Sequence, residues 1–454
     1  MLIPDLDLVR KYNQPGPRYT SYPTAPHFSG ETDKSALAAQ TETEDSDLSL
    51  YFHIPFCRSL CWFCGCTKII TTQQDKADDY LDLLEKEISL FLPRIKPGRK
   101  VRQLHFGGGT PNYLTPAQID RFSNFLHSHF DFHDDAEIST ELDPRTLTEE
   151  HIQSFKKLGI NRASMGVQDV KPEVQEAVHR IQTDEHNRNA LKWLREAGIT
   201  SCNLDLIYGL PKQTPGSFEE TLHHILDYSP DRLAVFSYAH VPWIMPAQKI
   251  LEAKDLPEPE AKLKMLEKII TILTDNGYHY VGMDHFAKQT DPLTVAQNNG
   301  TLQRNFQGYS THGGVEICAF GMSSISQTSR SYRQNFKDIT DYGQAVAAGH
   351  YPIDRGILLT DEDVMRRDII MSIMCQLKLD YAAKSKQHNI DFKTHFASAL
   401  ESLKPMQDDG LLELGGNSLQ VTEQGRLFIR NIAMAFDAYL AQGESQKGKF
   451  SKTV

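Results

Sequence analysis

The sequence predicts an α/β fold, and three observations predict it. Short apolar or alternating segments recur at 49–54, 101–106, 136–141, 162–167, 202–208, 232–238 and 278–284. Amphipathic helical segments separate them, as in ADDYLDLLEKEISLFL (77–92), PAQIDRFSNFLHSHF (116–130), DEHNRNALKWLREAG (184–198) and PEAKLKMLEKIITILTDNG (259–277). After about residue 290 this alternation gives way to a mostly helical tail. A repeated βα unit implies a parallel sheet covered by helices. Six or seven units fit a partial or full barrel, with a doubly wound open sheet as the competing arrangement. The expected core is a partial (β/α)6 barrel over residues 48–290. In either arrangement chemistry belongs at the C-terminal ends of the strands.

The remaining segments follow in order. Residues 1–47 have few long apolar runs and contain the turn-rich KYNQPGPRYTSYPT, so they read as an N-terminal extension covering the site. Residues 291–359 read as a connecting, substrate-side segment, in which GVEICAFGMSSISQ (314–327) adds a strand and a small-residue loop. Residues 360–454 read as a helical C-terminal domain. Helices are expected at 360–379 and 391–407, then LLEL, a Gly-Gly-Asn turn and LQVT, then the helix TEQGRLFIRNIAMAFDAYL. Helix, helix, short hairpin, helix resembles a winged-helix module. Its acidic, mixed surface suits a lid or packing role better than DNA binding.

The formal net charge of −11 argues against nucleic-acid binding, which relies on basic surface. It leaves room for an anionic small substrate in a local Arg/Lys pocket. MLIPDLDLVRKYNQPGPRYT lacks a basic-then-apolar signal, and no apolar run reaches the length of a membrane helix. The expectation is a cytoplasmic protein without a membrane segment.

Four of the seven cysteines fall within ten residues, in YFHIPFCRSLCWFCGC (51–66). The other three, Cys202, Cys318 and Cys375, sit in apolar settings and read as small buried hydrophobes. An odd cysteine count without a signal peptide does not suggest a disulfide framework. The spacing Cys57–x3–Cys61–x2–Cys64 follows the first strand, which places it in the first βα loop. Three thiolates on a four-iron cube leave one iron without a protein ligand, as a catalytic site requires. A zinc knuckle is the structural alternative, but no second Cys/His pair with zinc-like spacing is present. Cys66 could be a fourth ligand that closes the site, a proton donor or a substrate-side group. Its position two residues past Cys64 favours a non-ligand.

Polar groups at later strand ends form a ring. FGGGTP (106–111) follows the second strand, and its glycines allow close backbone approach to a ligand or simply a tight turn. TELDP (140–144) ends the third strand with Glu141, while Asp143 reads as a helix N-terminal acid before RTLTEE. SMGVQD offers Gln168, AVHRIQ places Arg180 just beyond, and NLDLIYGLP puts Asp205 inside the fifth strand. An unpaired carboxylate buried there would be costly. SYAH (237–240) ends the sixth strand, and the following VPWIMPAQ has no evident reading.

The x3–x2 cysteine spacing after a first strand resembles the signature of the radical S-adenosylmethionine enzymes. With KYNQPGPRYTSYPT, FGGGTPNYL, MGVQD, NLDLIYGLPKQT and RNFQGYSTHG, the whole chain resembles the oxygen-independent coproporphyrinogen III oxidase family. The resemblance implies one [4Fe-4S] cluster on Cys57, Cys61 and Cys64 and two molecules of S-adenosylmethionine. It places Tyr51, Gly108, Glu141 and Ile325 around the first of these. Phe63, Gly109, Thr110, Gln168, Arg180, Asp205 and Ala239 fall around the second. Cys66 and Glu141 are the catalytic candidates. The implied reaction converts two propionates of coproporphyrinogen III to vinyl groups in haem biosynthesis, giving protoporphyrinogen IX. The implied partners are the substrate and a reductant protein such as a flavodoxin or ferredoxin, and a monomer is expected. Arg18 and Arg304 are candidates for substrate carboxylates, with surface ion pairs as the alternative. A haem chaperone related to the same family is the competing function. Cys66 after Gly65 and the KYNQPGPRYTSYPT segment favour the enzyme.

Overall fold

The computed structural model describes residues 5–252, 255–441, 450, 452 and 453. The chain forms two compact units. The larger holds Phe28–Met265 and Gly314–Leu358, and the smaller holds Met1–His27, Leu266–Gly313 and Leu359–Val454.

In the larger unit six strands pair in parallel and in chain order: β1 (Leu48–Ile54), β2 (Val101–Gly108), β3 (Phe132–Leu142), β4 (Arg162–Gln168), β5 (Ser201–Tyr208) and β6 (Arg232–Ser237). Six of the seven residues of β1 are buried, as expected for a parallel strand covered on both faces. Helices begin cleanly after the βα loops. Thr115, Thr148, Thr183 and Thr214 each accept a hydrogen bond from the third residue of the following helix, and that residue bonds back to the threonine backbone N–H. Phe52 stacks between Phe106 and Phe320, with ring centroids 5.3 and 5.6 Å away, and meets Phe122 edge-on.

The sheet continues on the other side of β1. β7 (Glu316–Phe320) pairs with β1 in parallel, so segment 314–327 supplies a seventh parallel strand. β8 (Ile325–Gln327), β9 (Ser331–Asn335) and β10 (Ile353–Leu358) then run antiparallel. The last strand is covered rather than open. Ser29 and Gly356 exchange two backbone hydrogen bonds, at 2.9 and 3.0 Å. A Cβ on Gly356 would meet Leu37 Cδ1 at 2.5 Å, so the helix Lys34–Thr43 packs directly on that strand.

The segment 278–284 departs from expectation. It belongs to the smaller unit and pairs antiparallel, Tyr278–Gly282 against His285–Lys288, instead of extending the βα series. Gly282, Met283 and Asp284 all take positive φ (130°, 45° and 76°), which turns the chain back at once. The tail is also more broken than its periodicity suggests. Its first helix, Asp361–Gln376, stops at left-handed Leu377. Segment 391–407 forms three short helices, Phe392–His395, Ala397–Ser402 and Lys404–Asp408, the last opened by Pro405. The terminal helix divides into a 3-10 turn at Gln424–Phe428 and helices Ile429–Met434 and Ala438–Ala441. There Asp437 accepts from the N–H groups of Tyr439 and Leu440 and starts a new helix. Lys378–Asp380, Ser418–Val421 and Leu412–Leu414 form a three-stranded antiparallel sheet with Ser418–Val421 central. No helix among the described residues is long and apolar enough to cross a membrane.

One buried acid in the larger unit sets a pH dependence. Glu87, on the helix Asp75–Phe91, is fully buried and accepts from Gly321 N (2.8 Å), Asn335 Nδ2 (2.6 Å) and Tyr342 OH (2.7 Å). Burial pushes its carboxyl up to about 7, against the pull of those donors. A carboxyl raised on folding stabilises the fold most below its unfolded value, and that contribution fades as pH rises through the folded value. Between pH 4.5 and 7.5 the protein is therefore expected to lose roughly 3 kcal/mol at this site. Thermal unfolding of Glu87→Gln across that range should show a flatter pH slope than wild type, whatever its absolute stability. An identical slope would contradict the assignment.

Candidate active site

The cysteine loop leaves β1 and is pinned by backbone bonds. Ile69 N donates to Pro55 O (2.7 Å), Thr71 N to Cys57 O (3.0 Å), Cys64 N to Cys61 O (3.1 Å) and Trp62 N to Val178 O (3.1 Å). The ammonium of Lys68 closes the far end on the carbonyls of Cys64 and Cys66. Cys57 and Cys64 are half-buried, Cys61 is buried and Cys66 is exposed. Cys202, Cys318 and Cys375 are each 1 % exposed and lie in the core, as their apolar settings suggest.

Each sulfur has its own surroundings. Cys57 Sγ lies 3.3 Å from Thr110 Oγ1, and burial pushes its thiol up to about 11. A hydrogen bond from Cys66 draws Cys64 down to about 6, and the same contact raises Cys66 well above an ordinary thiol. Two guanidinium groups face Cys61 Sγ, Arg145 Nη2 and Arg180 Nη1, each at 3.6 Å. Both arginines bind Asp143, Arg145 Nη2 at 2.6 Å and Arg180 Nη1 at 3.3 Å. Burial pushes the Asp143 carboxyl up, but Arg180 and Arg145 outweigh it and hold the group at about 2. Asp143 is thus a counter-ion between two arginines and not a helix N-terminal acid. The following helix starts only at Glu149, capped by Thr148. A cavity of about 240 Å³ lined by Arg58, Thr110, Tyr113, Asp143 and Arg145 opens on this side of the loop.

The donor set tests which group fits. Among the described residues, no three or more His, Cys, Asp or Glu are placed to hold a single metal ion. The three thiols nevertheless share one short loop close enough to perturb one another electrostatically. Such spacing suits an iron–sulfur cube, whose corners lie apart, better than one zinc ion.

The glycine loop lies against the cysteine loop. Gly109 N donates to Ile54 O (2.8 Å), and a Cβ at Gly109 would meet Pro55 O at 2.5 Å. Its small size is therefore demanded by the chain itself. Gly108 has φ 117°, and a Cβ there would strike the His53 ring at 2.8 Å. Gly108 N donates to Glu141 Oε2 (3.2 Å), joining the ends of β2 and β3. Glu141 Oε1 lies 3.6 Å from His105 Nε2, and its side chain is 45 % exposed. His105 stacks on Tyr51, whose hydroxyl lies 3.1 Å from His53 Nδ1. Tyr51, His105 and Ser139 align across β1, β2 and β3.

On the later strands, Gln168 has φ 70° where β4 slips register against β5. Arg180 Nη2 donates to Gly166 O (2.7 Å), close to Gln168. Asp205 is not left unpaired, because Asn203 Nδ2 (2.7 Å) and Ser164 Oγ (3.1 Å) donate to it. Burial and the neighbouring Glu141 charge still push it up to about 7. Trp62 stacks on His179 with ring centroids 5.1 Å apart, and both Trp62 and Phe63 pack on Val174, Val178, Leu210 and Tyr238. Ala239 is exposed two residues beyond β6, and Ile325 lies on β8, separated from β1 by β7. Arg18 and Arg304 belong to the smaller unit.

Sequence reasoning missed three participants. Arg145 was hidden in a segment that reads as a helix start. His53 follows β1 periodicity and reads as a strand residue. Gln248, in VPWIMPAQ, is 1 % exposed and ties Val241 N (2.6 Å) to Phe63 O (3.0 Å). A buried amide in an otherwise unassigned loop was the available signal.

Two family models and full-length relatives match this chain. Residues 51–225 match the model of the radical SAM superfamily, and residues 359–428 match the HemN C-terminal domain. The chain is 49% identical to the oxygen-independent coproporphyrinogen III oxidase of Escherichia coli (strain K12) over 451 residues, covering 99% of this chain and 98% of that one. It is 44% identical to the enzyme of the same name from Helicobacter pylori (strain J99), covering 99% of both. A solved structure described as coproporphyrinogen III oxidase (HemN) from Escherichia coli, a radical SAM enzyme, superposes with a TM-score of 0.92 at 47% identity, covering 97% of this chain and 100% of that one. With thiols, glycine loop and strand-end acid in place and similarity running end to end, the chain belongs to the oxygen-independent coproporphyrinogen III oxidase family of the radical SAM superfamily.

Proposed function

We propose that this protein converts two propionate side chains of coproporphyrinogen III to vinyl groups, giving protoporphyrinogen IX in haem biosynthesis without oxygen. The observation that carries the reading is the placement of three thiols in the first βα loop beside Gly108 and Glu141 at the next two strand ends. The larger unit would then be the six-stranded partial barrel, with the 360–454 region as a winged-helix-like companion. Cys57, Cys61 and Cys64 would hold one [4Fe-4S] cluster.

When bound, the cluster and S-adenosylmethionine supply a 5′-deoxyadenosyl radical, and the chemistry at the propionate follows from that. The chain's own residues orient and shield. Tyr51, Gly108, Glu141 and Ile325 are assigned to one adenosylmethionine. Phe63, Gly109, Thr110, Gln168, Arg180, Asp205 and Ala239 are assigned to a second. Glu141 accepts from Gly108 N and retains a half-exposed oxygen that can take an ammonium or hydroxyl donor. Trp62 and Phe63 anchor the loop on the apolar cluster of Val174, Val178, Leu210 and Tyr238. Arg145 and Arg180 each direct a guanidinium N–H at the Cys61 sulfur and hold it in place. A reductant protein such as a flavodoxin or ferredoxin and a monomeric state complete the proposal.

Cys66 is proposed as a non-ligand that acts as a proton donor, since it is exposed and its thiol donates to Cys64. Cys66→Ser is expected to keep its iron but to form product about a hundredfold more slowly. Iron content and the product assay check the two halves. The whole reading is tested by anaerobic incubation of reduced enzyme with coproporphyrinogen III, followed for vinyl product, CO₂ and 5′-deoxyadenosine. Adenosylmethionine cleavage without vinyl product would overturn it, as would stoichiometric, transferable haem binding without turnover.

A further inference from the structure

Gly107, the first glycine of FGGGTP, has no task in the site just described, and neither has His105 two residues before it. Both lie on β2, where alternate positions face the same side of the sheet. A Cβ on Gly107 would come within 3.2 Å of Glu141 Oε1 and within 3.2 Å of His105 Nε2. The Glu141 carboxylate and the His105 imidazole thus meet over the bare backbone of Gly107. Nε2 approaches Oε1 to 3.6 Å, and the imidazole side chain is 16 % exposed. At that distance the contact is electrostatic and longer than a hydrogen bond. The other carboxylate oxygen, Oε2, accepts from Gly108 N at 3.2 Å.

The ring is fixed from two further sides. Tyr51 stacks on it, with centroids 5.9 Å apart and planes 24° from parallel. Ser139, its cross-strand neighbour on β3, places Oγ 2.7 Å from Nδ1 and 3.3 Å from Leu104 O. The serine has one hydroxyl proton, and the shorter contact takes it. Nδ1 is then the acceptor, and the neutral ring carries its proton on Nε2. The opposite tautomer would set the Nε2 lone pair against the Glu141 carboxylate. Glu141 is therefore flanked by two N–H groups, one for each oxygen. A carboxylate oxygen accepts more than one donor, so both keep capacity for a ligand.

We propose that His105 is a positioning residue for Glu141. Its Nε2–H, aimed by Ser139 and given room by Gly107, orients the carboxylate that takes an ammonium or hydroxyl donor of the first adenosylmethionine. The inference rests on the assignment of Glu141 to that ligand. A carboxylate already held in its binding orientation loses less freedom when the ligand arrives, so the effect of His105 is on affinity.

The test titrates S-adenosylmethionine into anaerobic, reduced holoenzyme and follows the paramagnetic resonance spectrum of the cluster, which reports ligand bound there. His105→Phe keeps a ring against Tyr51 but loses both nitrogens. It is expected to raise the half-saturating concentration about tenfold. His105→Gln, whose amide can return a donor near the place of Nε2, should recover most of that loss. Gly107→Ala keeps both side chains but crowds their contact, and should weaken binding about three- to tenfold. KM for coproporphyrinogen III and iron content should not change. Equal loss in His105→Phe and His105→Gln, or a greater loss in His105→Gln, would mark a packing role for the ring and overturn the inference. Unchanged affinity in His105→Phe would overturn it as well. If His105→Phe does not fold, Gly107→Ala decides by the same titration, and wild-type affinity there sinks the positioning role. Glu141→Ala separates this inference from the reading beneath it. Wild-type affinity in Glu141→Ala would show that Glu141 does not serve adenosylmethionine, and the inference falls with that assignment. Weakened binding in Glu141→Ala beside wild-type affinity in His105→Phe removes the inference alone.

Discussion

Cys61→Ser is expected to lose the iron–sulfur cluster and with it all adenosylmethionine cleavage. Of the four clustered cysteines Cys61 is the most buried, at 8 % exposure, and it alone receives two guanidinium donors. A serine oxygen is a harder and far weaker thiolate substitute for iron. Arg145 and Arg180 would then face a smaller hydroxyl where they now meet a sulfur at 3.6 Å. Iron and sulfide analysis of anaerobically reconstituted protein, with the absorption spectrum, provides the readout. The same loss is expected of Cys57→Ser and Cys64→Ser, in contrast to Cys66→Ser. A Cys61→Ser protein with a full complement of iron would overturn the ligand assignment.

The second large effect is expected of Arg180→Ala. Arg180 is 7 % exposed and joins three elements, through Asp143 beyond β3, Gly166 in β4 and Cys61 in the loop. Truncation leaves Asp143 with Arg145 alone and removes a donor to the Gly166 carbonyl. Breaking a buried ion pair from one side typically costs about 3–5 kcal/mol. Urea unfolding of the cluster-free protein should show a loss of that order. The pH dependence gives an independent check. Asp143 is held near 2, so its stabilising contribution is present above the ordinary carboxylate range and lost as pH falls toward 2. In Arg180→Ala the carboxyl is less depressed, and acid unfolding should begin at higher pH. Unchanged stability and an unchanged acid limb would show that Arg145 alone suffices.

Much of this architecture was legible because its signals are local. Strand alternation and helical periodicity lie within a few residues of what they specify, and β1 to β6 follow from them. The thiol spacing is local as well. Asp143 was misread for the opposite reason. In TELDPRTLTEE it has the look of a helix-start acid, and its decisive partner, Arg180, is 37 residues away in sequence. Gln248 escaped notice because its role is to bridge to Phe63, 185 residues earlier. The turn at 283–284 hid inside an apolar run, since neither Met nor Asp announces positive φ. The tail helices kept their periodicity across breaks at Phe396, Pro405 and Asp437, so pattern alone fused them.

The covered strand β10 bears on how the chain behaves outside the folded state. A sheet with a bare final strand offers unpaired backbone groups to another molecule. Ser29 occupies those groups at Gly356, and Leu37 packs where any side chain at Gly356 would project. Residues 28–43 thus act as an internal stopper against intermolecular strand addition. They precede every parallel strand in the chain, so during synthesis the stopper is made before the edge it protects. A chain caught with its sheet formed carries its own block to self-association.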